Sequence, residues 1–532
     1  MSRPAMGESD TGQPGTPATG PNEGPLGHKT SLQGSVEPMD VKESVMGGVA
    51  WTSLSFVTQN VMQTAISILL ARILLPDAYG IVALASTTLT LIGMLRSIGA
   101  GPALIQNKAP TEEMMSSVFW FNGAVGLVST LILLALAYPL GSMLAEPRVV
   151  NVFLLLAPNF FLGSLTTVHG ALLSRQRRYR LYALREIAAT LLSGLVAVVF
   201  AYSGFGYYAL VLQGLTRGLF GILFLWRTVA WRPKFLFDWP SLKEVMGFGL
   251  PLAGTNIFTY LARNLDNLLV GRFLGVTALG LYGFAYGIVQ QPIRIVQSIL
   301  GRVMFPELSR IQADLPKVRS VYLSSLRYIS ALLWLPLGGL LVLAPVGIPL
   351  IYGKHWEPAV LLFQIFLLVV IPQTIATTVG WIYNSQGKTK EQFTRGLVAN
   401  LFVYAGFVIG LRWGLLGVAL SYLIVNYVGA WPFNALAFSV IGLRMRDVLG
   451  AVRNVFLALL ELMAGLYITS IALQLLVGAG PWTIMGVGAV VGTGLYGLVL
   501  WILEPDLPKR IIRLPLDLKR SSRKVRKGTQ PL

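Results

Sequence analysis

The sequence predicts an all-α polytopic membrane protein with about fourteen transmembrane helices, arranged as two six-helix lobes plus two C-terminal helices. Three observations predict it: apolar runs of bilayer-spanning length recur along the chain, Lys and Arg gather in alternate loops, and the first half of the chain echoes in the second. With 54% hydrophobic and 12% charged side chains among 532 residues, there is more apolar surface than one water-soluble core can bury, so the excess faces lipid. A hydrocarbon core of about 30 Å takes about 20 apolar residues per helical span. Helices satisfy their own backbone hydrogen bonds in lipid, and runs that are continuous rather than alternating exclude a membrane β-barrel. The absence of cysteine excludes disulfide frameworks, thiolate nucleophiles and cysteine metal sites.

Residues 1–42 come first, as a leader. Gly, Pro, Ser and Thr fill 21 of the first 40 positions and no apolar run occurs there, so the segment reads as disordered and cytoplasmic. It lacks the apolar stretch of a secretory signal, which makes the first span an uncleaved insertion signal. Apolar runs between charges, Pro and Gly place spans near 45–70, 78–95, 115–138, 149–171, 184–203 and 207–226, then 245–269, 278–300, 326–350, 357–383, 394–411 and 415–440, and finally 455–476 and 482–503. The N-lobe is thus 43–230, the C-lobe 240–442, the appended pair 450–503, and a basic cytoplasmic tail runs over 504–532.

Charge orients these spans, because cytoplasmic loops collect Lys and Arg. With the leader inside, 31 Lys and Arg fall in cytoplasmic loops and the tail, against five outside: Arg72, Arg148, Arg272, Lys354 and Arg412. Both termini are therefore expected in the cytoplasm. The net charge of +19 follows from this asymmetry. The basic tail reads as a juxtamembrane run beside anionic lipid rather than as a nucleic-acid site.

At an offset of 200 residues, ARILLPDAYG (71–80) aligns with GRFLGVTALG (271–280), and Met46-Gly47 with Met246-Gly247. A second echo sets LLSRQRRYR (172–180) against IYNSQGKTK (382–390). Both echoes are six helices apart. Parallel repeats about an axis along the membrane normal are one plan of membrane carriers, with the substrate path between the halves.

Charges inside a bilayer are costly, about 2.5–3.5 kcal/mol for a central Arg on insertion scales, so they tend to face a cavity or a partner. Three remain after loops and termini are removed: Arg217, Arg263 and Arg294. Asp266 lies one turn from Arg263, and Asn256 and Asn267 extend that stripe; Asn60, Gln63, Thr64 and Ser67 line the first span. The offset sets Gln63 opposite Arg263 and Ser67 opposite Asn267. Two related polar faces with Arg217, Arg263, Arg294, Asn60, Gln63, Asn256 and Asn267 would make a cationic chamber for an anionic headgroup such as a diphosphate, because Arg offers a planar fork to phosphate oxygens. The bland alternative has Arg294 snorkelling to the interface and Arg263 pairing with Asp266. Arg72 and Arg272 read as interfacial anchors or loop-ordering residues.

Other motifs fail. Gly387-Lys388-Thr389 lacks the upstream glycine and strand of a phosphate loop, and Gly492, Gly494 and Gly497 lie inside a span, where they serve helix packing. His28, His169 and His355 lack metal-site spacing, so neither a metal nor a cofactor is expected. The short external loops leave no room for the catalytic segment of a membrane glycosyltransferase or ligase.

Against this background, GGVAWTSLSFVTQNVMQTAISILLARILLPDAYGIVALA (47–85), GAGPALIQNKAPTEEMMSSVFWFN (99–122) and FPELSRIQ (305–312) resemble the polysaccharide transporter branch of the multidrug/oligosaccharidyl-lipid/polysaccharide exporter superfamily, the Wzx-type flippases. The resemblance covers residues 43–450, with the last two spans looser. It implies a non-enzymatic carrier in the bacterial inner membrane that moves undecaprenyl-diphosphate-linked oligosaccharide repeat units to the periplasmic leaflet by alternating access. The implied partners are that lipid-linked oligosaccharide, membrane lipids and polysaccharide polymerase or assembly proteins. With no ATPase motif, drive must come from an ion gradient, the membrane potential or the substrate gradient, and Asp266 is the candidate coupling carboxylate. A drug/cation antiporter of the same superfamily would favour acidic cavity residues over Arg; a lipid II flippase is harder to separate.

Overall fold

The computed structural model describes residues 41–96, 104, 110–176 and 178–504, so the expectations for residues 1–40, most of the 97–109 loop and 505–532 lie outside the described residues. Among the described residues every regular element is helical. In chain order they are α1 (Val41–Ile73), α2 (Pro76–Arg96), α3 (Glu112–Met143), α4 (Arg148–Leu156), α5 (Pro158–Ser164), α6 (Thr167–Arg175), α7 (Tyr179–Tyr202) and α8 (Tyr208–Thr228). The second half has α9 (Trp239–Leu274), α10 (Val276–Arg310), α11 (Leu315–Tyr352), a 3-10 turn (Lys354–Ala359), α12 (Val360–Ser385), α13 (Thr389–Gly410), α14 (Gly414–Ile424), α15 (Ala430–Val440), α16 (Met445–Val477) and α17 (Pro481–Leu503). The unit that begins at Gly48 is compact; the N-terminal unit, Met1–Gly47, contributes only the start of α1 to the described residues.

The chain is a multi-pass membrane protein: among the described residues ten helical segments are long and apolar enough to cross a bilayer, or eleven when the bent pair α4–α5 with α6 counts as one. The expected count of fourteen is not confirmed by this tally. The segment 389–440 counts once in that tally, although α13 folds back on α14 where Gly410 meets Gly417. Helices α9 and α10, which occupy the intervals 245–269 and 278–300, are not in it. The side chains of much of α9 lie outside the described residues, and α10 carries Gln290, Gln291 and Arg294.

The fourth expected span is broken twice, and each break is repaired by a side chain. Pro158 has no N–H, so α4 ends there; the Thr130 hydroxyl donates to the Ala157 carbonyl at 3.0 Å and accepts from Phe161 N–H at 3.2 Å. The 47° bend before α6 leaves the Leu165 carbonyl, which Trp226 Nε1–H satisfies at 3.3 Å. In lipid these carbonyls have no water to turn to, so the polar patches are structural.

The largest core joins α2, α10, α11, α12 and α16, with Tyr282, Tyr322, Trp334 and Phe366 fully buried. Its widest helix pair is α2 against α10. There a Cβ on Gly80 would overlap the Val276 carbonyl and a Cβ on Gly280 would overlap the Pro76 carbonyl. Positions 76 and 276, and 80 and 280, are each 200 apart, so the contact is reciprocal, as a two-fold relation between the helices requires. Both echoes also break alike: α1 and α9 end at 73 and 274, and both α6 and α12 stop at a glutamine, Gln176 and Gln386. The C-terminal pair packs on α11 through small residues. Gly338 and Gly492 receive Leu462, the packing role expected of Gly492.

Arg72 departs from its repeat mate. Its Nε donates to the Ile351 carbonyl at 2.7 Å and its second nitrogen to Leu350, satisfying orphan carbonyls at the end of α11. In return His355 Nε2 and Trp356 Nε1 both reach the Ala71 carbonyl, at 2.7 and 2.8 Å. Trp356 is fully buried, stacked on Phe284 at 4.0 Å with Tyr79 edge-on at 5.3 Å. Arg272 merely lies over Phe273. The α1–α2 corner is thus latched to the α11–α12 corner. Arg72→Ala should lengthen and broaden the distance between spin labels at Leu75→Cys and Lys354→Cys, with Arg72→Lys intermediate; unchanged distances would remove the latch role.

Candidate functional site

The polar residues resolve into three groups. The first surrounds Asp266 on α9. Asp266 is 7% exposed, its Oδ2 accepts from Tyr282 Oη at 2.7 Å, and its Oδ1 is buried with no hydrogen-bond partner among the described residues. A buried carboxylate oxygen without a donor is costly. Tyr282 stacks on Tyr286 at 5.8 Å, Tyr286 Oη meets Tyr422 Oη at 3.5 Å, and Phe366 touches all three rings. Tyr422 stands just before a π-helical turn, Val425–Gly429, that joins α14 to α15; Asn426 Nδ2 folds back on the Tyr422 carbonyl at 2.9 Å. π-turns of this sort are frequent at functional sites because they re-aim side chains. Asn267 is half-buried beside Asp266. Asn256 and Arg263 fall on α9, and their side chains lie outside the described residues.

The second group joins α7 and α8. Arg217 is 45% exposed and pairs with Glu186 at 3.2 Å, while Arg185 reaches the other Glu186 oxygen at 3.5 Å. Arg185 also lies against Gly221, one turn beyond Arg217 on α8. Arg217, expected to face a cavity or a partner, has a partner: it belongs to a two-guanidinium cluster around one carboxylate. Two Arg and one Glu leave a surplus positive charge, and each guanidinium keeps donors beyond those Glu186 uses.

The third group runs along α10 and meets α1. Gln291 Nε2 donates to Asn60 Oδ1 at 3.2 Å, and Gln290 Nε2 donates to Gln373 on α12 at 2.9 Å. Arg294, one turn on, is exposed and has no ion pair among the described residues; Gln63 is exposed on α1. The structure therefore brings Asn60 to α10, and it does not bring Arg217 into contact with Asn60 or Arg294. Glu186, Arg185, Tyr282, Tyr286 and Gln291 were not singled out from sequence. The signals existed: Glu186 is the one acid in α7, and Tyr282 and Tyr286 repeat at i,i+4 on one helix face.

The fold is that of the transporters of the multidrug and lipid-flippase type. A structure described as lipid II flippase MurJ in an inward closed conformation matches with a TM-score of 0.66, over 86% of this chain and 99% of that one, at 15% identity. An inward-facing multidrug resistance MATE family transporter of the MOP superfamily matches at 0.57, over 74% of this chain and 98% of that one, at 14% identity. More particularly, the chain belongs to the polysaccharide biosynthesis protein family, which matches residues 69–361. Among its relatives are the teichuronic acid biosynthesis protein TuaB of Bacillus subtilis (strain 168), 25% identical over 74% of this chain and 82% of that protein, and the lipopolysaccharide biosynthesis protein WzxC of Escherichia coli (strain K12), 24% identical over 73% and 80%. The succinoglycan biosynthesis transport protein ExoT of Rhizobium meliloti (strain 1021) is 27% identical over 60% of this chain and 64% of its own length.

Proposed function

We propose that this protein is an inner-membrane flippase that moves undecaprenyl-diphosphate-linked oligosaccharide repeat units from the cytoplasmic to the periplasmic leaflet, for exopolysaccharide, capsule or O-antigen synthesis, with polysaccharide polymerase or assembly proteins downstream. The N-lobe (43–230) and C-lobe (240–442) rock about the α2–α10 contact to alternate access, and the protein itself makes and breaks no covalent bond. The observation that carries the reading is the Arg185–Glu186–Arg217 cluster in a family of polysaccharide biosynthesis proteins. A diphosphate can take over the guanidinium donors, while the glycan follows the polar face of Asn60, Gln63, Gln291 and Arg294 and the polyprenyl tail stays in lipid. Arg263, Asn256 and Asn267 extend that path from α9. Asp266, with its unfilled oxygen, couples transport to an ion gradient.

The test is translocation of a fluorescent undecaprenyl-diphosphate oligosaccharide in proteoliposomes, with and without a proton or sodium gradient. Movement that needs the protein and accelerates with one gradient is expected, and Asp266→Asn should abolish the acceleration. Efflux of a cationic dye without oligosaccharide movement would replace this reading with a drug antiporter, and selective movement of lipid II with a lipid II flippase.

A further inference from the structure

Between α8 and α9 the chain is extended over residues 229–238 and is held as a rigid strap with two unlike sides. Its backbone is pinned to the start of α3: Lys234 N–H donates to Ser116 Oγ at 3.3 Å, Asp238 N–H to Ser117 Oγ at 2.6 Å, and Trp120 Nε1–H to the Lys234 carbonyl at 2.8 Å, with Lys234 Nζ on Glu112. Inward, Trp231 joins Phe119 and Trp226 around the fully buried His169. Arg232 donates to the carbonyls of Trp226, Val229 and Trp231, closing the end of α8. Outward the strap is apolar: Phe235 is 92% exposed, Phe237 61% and Trp239 56%. Phe237 stacks on Trp239 at 6.4 Å, and Phe235 on Trp120 at 5.0 Å.

We propose that this strap is a lipid-interface anchor whose partner is the anionic headgroup layer of one leaflet. In water such a display would forfeit the free energy of burying large aromatic rings, and the pinned backbone prevents them from turning inward. The strap begins directly after Thr228, where a spanning helix ends, which sets it at headgroup depth. Aromatic rings gather at that depth, and Lys and Arg beside it are drawn to anionic lipid. Lys234 is taken up by Glu112, and Arg227, Arg232 and Lys243 flank the rings and supply that complement. This goes beyond the flippase reading and rests on it in one respect: as the covalent tie between the two halves, a lipid-seated strap makes the rocking of the halves sensitive to leaflet charge.

Because the chain has no cysteine, single spin labels at Phe237→Cys and Trp239→Cys report the site cleanly in the full-length protein. In vesicles of phosphatidylcholine with phosphatidylglycerol, the ratio of oxygen to nickel-chelate accessibility should be several-fold higher at both sites than at Lys390→Cys at the exposed start of α13, and should fall when phosphatidylglycerol is omitted. A ratio equal to that at Lys390→Cys would put the strap in water and overturn the proposal. Low accessibility to both reagents would mean that protein, such as a second copy, covers it, and would also overturn it. A high ratio indifferent to phosphatidylglycerol would overturn the anionic-lipid part. None of these outcomes depends on transport, so failure here is distinct from failure of the flippase reading.

Discussion

Gly80→Ala and Gly280→Ala should each lower the melting temperature of the purified protein strongly and by similar amounts, whereas Gly283→Ala and Gly287→Ala should melt at or somewhat above the parent's temperature. At positions 80 and 280 an added methyl meets backbone carbonyl of the opposing helix, of Val276 and Pro76 respectively. A side chain in the way can rotate; a carbonyl moves only with its helix. Overpacking a tight core costs about 1–3 kcal/mol, and a backbone-to-backbone contact stands at the upper end of that range. Gly283 and Gly287, on the same α10, face open space, so their substitution isolates the contact from helix propensity, which by itself favours Ala by about 1 kcal/mol. Equal effects at 80 and 280 are what the reciprocal geometry requires. A large effect at one and none at the other, read by fluorescence-detected melting in detergent, would show that the two helices are not equivalent there.

The 200-residue echo was readable because a reciprocal helix crossing constrains short residues at matching positions in both halves. Helix locations were equally readable, since lipid exposure writes long apolar runs into the chain. What escaped was pairing across helices. Glu186 stands at the head of an apolar run beside the Arg-rich 175–180 segment, so in one dimension it looks like the edge of a loop; only the packing of α7 on α8 brings Arg217 to it. Tyr282 and Tyr286 read as ordinary interior aromatics, and their hydroxyls acquire meaning only when α9 and α14 bring Asp266 and Tyr422 alongside. The count of fourteen spans is not confirmed among the described residues, where α13, α14 and α15 fall in one segment of the tally and α9 and α10 stand outside it.

The sharpest result is expected from separating the two roles open to Arg217. Its pair with Glu186 is half-exposed, and such pairs contribute about 0–1 kcal/mol to stability, so Arg217→Ala should insert and melt nearly normally. Hydrogen bonds to a charged group are worth about 1.5–3 kcal/mol each, and losing one such contact to diphosphate corresponds to roughly a tenfold to hundredfold loss of oligosaccharide transport. Lys at the same position keeps the charge and loses the fork, and should recover only part of that loss. Glu186 decides between the roles. If Arg217 binds the headgroup, Glu186 is its competitor: Glu186→Gln frees the guanidinium, apparent affinity for the oligosaccharide rises, and the double variant Glu186→Gln/Arg217→Ala is as poor as Arg217→Ala alone. If the pair merely fastens α7 to α8, the two single variants lose transport alike and the double variant is no worse than either. Initial rates in proteoliposomes at several oligosaccharide concentrations, for the four combinations at matched protein levels, distinguish these outcomes because only the first splits affinity from maximal rate.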